Sequence, residues 1–80
     1  MSFKAVSDEA AIENGLQQIE RLNKKLTEVH YQIMDKFRKM IMTNGATKQG
    51  LRTEINALEA EIDTYEESKV FITRIIETLL

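Results

Sequence analysis

The chain has no cysteine, no proline and no tryptophan, and only one histidine and three glycines in 80 residues. Without cysteine there is no disulfide to staple a small fold, and no thiolate to serve as nucleophile or metal ligand. A lone histidine does not make a metal site by itself. Without proline, no pyrrolidine ring forces a helix to stop, so long uninterrupted helices are permitted. No stretch approaches the ~18 consecutive apolar residues that a membrane-spanning helix needs. The opening MSFKAVSDEAA lacks the apolar core of a secretory leader, so a cytoplasmic setting and no membrane are expected. The net charge of −2 gives no electrostatic case for a nucleic-acid partner.

What is present is 30% charged and 42% hydrophobic residues, a balance of ordered helical proteins rather than disordered ones. At this length a single core supplies only ~3–5 kcal/mol, so regular helix packing or association must contribute. Ser7 can cap a first helix, with Asp8 and Glu9 in its first turn, where acids suit the helix dipole. The only cluster of turn formers is TNGATKQG. There Asn44-Gly45 can end the first helix, because glycine enters the left-handed region at no steric cost, and Thr47 can cap the second. The expected organisation is one all-α domain over 1–80. It comprises a tail at 1–7, a first helix at 8–43, a turn at 44–47 and a second helix at 48–80. Asn14-Gly15 marks a candidate interruption of the first helix.

Register makes the case for a hairpin. Alternating steps of four and three from Ile12 give Ile12, Leu16, Ile19, Asn23, Leu26, His30, Ile33, Phe37 and Met40. The same steps from Leu51 give Leu51, Ile55, Leu58, Ile62, Tyr65, Lys69, Ile72, Ile76 and Leu79. Each set has the spacing of a coiled-coil seam. Folded antiparallel about Gly45–Ala46, the two meet rung by rung, and the polar intruders Asn23 and Lys69 share a rung. Residues 53–68 carry six acids and no base, opposite a stretch containing Lys24, Lys25, Lys36 and Arg38. Lys36 and Glu54 are expected to pair across the seam. The fold expected is an antiparallel two-helix coiled-coil hairpin, with pairing of two hairpins into a four-helix bundle as a further option.

A hairpin hides one stripe on each helix, yet the segment KVFITRIIETLL is apolar on more than one side. Leu22, Val29, Met34 and Ile41 widen the seam of the first helix. Val70 and Phe71 point away from the partner helix, and Ile75 and Leu80 flank the seam. Three covers are open for this face. They are the tail through Phe3 and Val6, a second copy of the chain, or a groove on another protein that reads Val70, Phe71, Arg74, Ile75 and Leu80 as helical anchors.

Chemistry-bearing alternatives are weaker. His30, expected to face Ile62 near Tyr65 and Glu61, lacks the Glu-x-x-His setting of a bundle metal site, because Thr27 precedes it by three. No serine falls near it, the glycines do not form a phosphate loop, and no catalytic residue, metal or cofactor is expected. The basic stretch KKLTEVHYQIMDKFRK opens a competing class, a homodimeric helical-hairpin regulator that binds nucleic acid. Size, the glycine-containing turn followed by Lys48-Gln49, and Ala57-Leu58-Glu59 in the second helix resemble the needle-subunit co-chaperones of type III secretion systems. That resemblance implies an assembly chaperone. Aligning both motifs requires a gap, and no site residues carry over. The leading expectation is a non-catalytic interaction protein: an adaptor, inhibitor or assembly chaperone.

Overall fold

The computed structural model describes the backbone from Phe3 to Leu80 and the side chains from Asp8 onward. It consists of α1 (Phe3–Ile41) and α2 (Ala46–Leu79), packed against each other as a helical hairpin. The rod measures 65 × 14 × 12 Å. Among the described residues no helix is long and apolar enough to cross a membrane.

Two local expectations are corrected, and one open point of α1 is decided. First, α1 begins at Phe3, so Ser7 is a helical residue and not its cap, and the first turn holds no acid. Second, α1 is unbroken at Asn14-Gly15. Gly15 is buried there, and a Cβ built on it would lie 3.0 Å from Ile76 Cδ1 and 3.3 Å from Ile72 Cγ2. The glycine that looked like a stop is a point of close helix approach, and the packing it permits offsets its low helix propensity of about 1 kcal/mol. Third, Thr47 does not cap α2. Gly45 precedes the helix with φ +69° and no side-chain capping bond. The connection is tightened by Met42 N–H donating to the Lys39 carbonyl and Thr43 N–H to that of Met40. Gly45 therefore has the positive φ expected of it, but at ψ −139°, outside the left-handed helical basin of a C-cap glycine, and it serves as the entry to α2.

The seam of α2 is the expected one. Leu51, Ile55, Leu58, Ile62, Tyr65, Lys69, Ile72, Ile76 and Leu79 are all buried or half-buried. On α1 one column is as expected (Ile12, Ile19, Leu26, Ile33 and Met40), while the second is displaced by one residue. Gly15, Leu22, Val29 and Lys36 face inward, and Leu16, Asn23, His30 and Phe37 are exposed. The middle rungs explain the rotation. Turning α1 the other way would exchange Leu22 and Val29 for Asn23 and His30, which loses apolar burial and desolvates polar groups without partners. The ends of a stiff helix must follow the middle. Gly15 thus enters the seam instead of Leu16, and Lys36 instead of Phe37.

Both ends adapt. Gly15 lets Ile72 and Ile76 close on the helix backbone. Lys36 lays its methylene stem along the seam and sends its ammonium to Glu54, Nζ to Oε2 3.1 Å, as the facing charges predicted. The core proper is Val29, Ile33, Met40 and Ile55, with Leu51, Leu58, Ile62 and Tyr65 packed on it. Asn23 has left the seam, its carbonyl accepting a bond from Thr27 Oγ1, while Lys69 stays half-buried beside Glu66.

Candidate protein-binding groove

Away from the turn, the hairpin carries an open groove between its helices, of ≈ 640 Å³. The α1 wall is Gln18, Arg21 and Leu22, and the α2 wall runs from Thr64 through Glu67, Ser68 and Phe71 to Ile75, with Ile72 on the floor. Helical repeat explains the grouping. Thr64, Ser68, Phe71 and Ile75 recur at steps of four, three and four, so they follow one edge of α2. Leu22 stands opposite them because antiparallel pairing sets it level with residues 69–70. Gly15 helps by drawing the helices together two turns farther along.

The five anchors read from the sequence do not form one surface. Phe71 and Ile75 line the groove, and Phe71 is 67% exposed. Val70 and Arg74 lie on the outer side of α2 with Glu66, on a shallow patch that meets the groove through Glu67 and Phe71. Leu80 caps the end of α2, its N–H bonded to the Ile76 carbonyl, with its side chain in water. The expected cover of this face by Phe3 and Val6 lies outside the described side chains.

Sequence reasoning overlooked Gln18, Arg21 and Leu22 because the face was read from α2 alone, and Thr64, Glu67 and Ser68 of α2 because it followed mainly apolar anchors. The rung rule already contained the signal. It sets the Leu22 side chain, assigned only to widen the seam, beside the turn that carries Phe71.

Electrostatics at the middle of the rod are those of a solvated helix pair. His30 is exposed and does not face Ile62 as expected. Tyr65 Oη donates to Glu61 Oε1 at 2.8 Å. That bond to the carboxylate, with smaller contributions from desolvation and the charges of Glu61 and Glu28, holds the phenol above its ordinary pKa. Among the described residues no group of three or more His, Asp or Glu side chains is placed to hold a metal ion.

Fold and site together describe a helical hairpin with a two-walled apolar groove at the end away from its turn. The chain matches no protein-family model, no curated protein and no solved structure.

Proposed function

We propose that this hairpin is a non-catalytic, cytoplasmic protein–protein interaction module, an adaptor, inhibitor or assembly chaperone, that receives an amphipathic helix of another protein in the groove beside Leu22, Phe71 and Ile75. The observation that carries the reading is a groove in which the exposed Phe71 and Ile75 of α2 stand across from the half-buried Leu22 of α1. Two parallel walls of side chains form the bed into which a third helix seats its ridge. Helix-in-groove recognition needs an apolar floor with a polar rim, and here Ile72 lies on the floor while Gln18, Arg21 and Glu67 form the rim. Phe71 and Ile75 are already partly covered, so completing their burial is worth about 1–2 kcal/mol each. The rim carries one base and one acid, so the partner helix is expected to present an apolar stripe with little net charge beside it.

Co-purification from the native host tests this directly, using the wild-type chain beside Phe71→Glu and Val70→Glu. A partner retained by wild type and by Val70→Glu but lost with Phe71→Glu, at unchanged helicity, supports the groove. Cross-links from that partner should then map to Gln18 and Ser68. Equal retention by all three chains would remove the proposal.

A further inference from the structure

α1 carries a second apolar stripe that the hairpin does not use. Met34, Phe37 and Ile41 follow His30 at steps of four, three and four, and Leu16 continues the same edge toward the other end. All are exposed; Phe37 is half in water. The stripe has the spacing of a coiled-coil seam, which is why part of it reads from the sequence as the internal one. The single hairpin turns it outward and places Gly15 and Lys36 inside.

The accessible area indicates how much cover is missing. The chain exposes 6283 Å², and among the described residues no side chain is fully buried. A compact monomer of 9.2 kDa exposes about 4,900 Å² by the usual scaling of area with mass. The excess, about 1,400 Å², includes the extra surface of an extended 65 × 14 × 12 Å rod and so bounds the missing cover from above; each subunit of an obligate homodimer buries roughly 1,000–2,500 Å².

We infer that a second copy of this chain covers the stripe, with the two α1 helices antiparallel about a twofold axis between Met34 and Phe37. An isologous contact requires the stripe to complement itself, and it does. In this register Met34 meets Phe37 of the second copy, and His30 meets Ile41. The flanking column brings Tyr31 to Arg38 of the second copy, a cation–aromatic pair, and sets no two like charges opposite. The α2 edge on this side offers no comparable bed, since it presents Arg52, Glu59 and Glu66. Helix 1 against helix 1 is therefore the favoured contact. The inference does not rest on the groove near Phe71, which stays open in such a dimer.

Sedimentation equilibrium of wild type, Phe37→Glu, Met34→Glu and Ile75→Glu is the test, with helicity followed by circular dichroism. Wild type and Ile75→Glu are expected at twice 9.2 kDa. The two stripe variants are expected to dissociate about thirtyfold or more readily, as for a central interface residue. Because the chain has no native cysteine, Met34→Cys with a short bis-maleimide gives a background-free second reading, and the expected product is a covalent dimer. A wild-type monomer at hundred-micromolar concentration would overturn the inference. So would a dimer that survives Phe37→Glu, or a Met34→Cys chain that does not cross-link.

Discussion

The close approach at Gly15 supports a quantitative prediction, because the hairpin supplies its own control. Gly15 and Gly50 both sit inside helices, but a Cβ on Gly50 meets nothing within 4 Å, whereas one on Gly15 would press on Ile76 at 3.0 and 3.1 Å. Replacing a helical glycine by alanine gains roughly 0.8–1 kcal/mol of propensity, part of it through the unfolded chain. Gly50→Ala should show that gain in full, raising Tm by about 4–8 °C for a domain of this size. At Gly15 the same gain meets an overpacking cost of about 1–3 kcal/mol. The low end applies, because the nearest atom is the terminal methyl of Ile76, which can shift. Gly15→Ala should therefore be neutral or destabilising by up to about 1 kcal/mol, leaving the two variants 1–2 kcal/mol apart. Thermal and urea unfolding followed by circular dichroism, at one fixed chain concentration, measure the difference. Equal stabilisation by both substitutions would refute the close approach and with it the placing of Gly15 in the seam.

Two further outcomes follow from the turn and the middle of the rod. Gly45→Ala forces a side chain to φ +69°, ψ −139°, a backbone region used essentially by glycine alone, and should cost about 1–3 kcal/mol despite the open space around it, measured by the same unfolding assay. Tyr65, whose pKa is raised by its bond to Glu61, should ionise above the ordinary tyrosine value in an ultraviolet titration of the Tyr31→Phe chain, and Glu61→Gln in that background should lower it. The sign for stability follows: the folded state holds the phenol proton more tightly than the unfolded chain. The contribution is therefore complete below the ordinary tyrosine pKa, and is lost as pH rises through the higher folded value.

Much of the architecture was legible because it depends on periodicity. The seam of α2 and one column of α1 could be read from apolar spacing, and the Lys36–Glu54 pair from facing charges. The second α1 column could not, because positions 15, 22, 29 and 36 compete with 16, 23, 30 and 37, and each set is apolar at only two of four places. Comparing the sets rung by rung resolves it. Leu22 and Val29 sit mid-rod, where α2 covers them best, while Leu16 and Phe37 sit toward the ends. Gly15 misled for a different reason: sequence shows that glycine weakens a helix, not that a neighbour requires the space. At the groove, Phe71 and Ile75 were legible as surplus apolar residues. The separation of Ile75 from Val70 and Arg74 was implicit in the heptad positions of α2; what a reading of that helix alone could not supply was the opposite wall, Gln18, Arg21 and Leu22.

The rotation of α1 is the claim on which core, groove and outer stripe all depend, and adjacent residues test it. Val29 is 4% exposed and part of the core, while His30 is in water. Unfolding of Val29→Ala and His30→Ala side by side should give a loss of about 1.5–3 kcal/mol for the first, as for a buried valine, and a change within about 0.5 kcal/mol for the second. A larger loss at position 30 than at 29 would mean that α1 faces its partner with the other column, and would contradict the account.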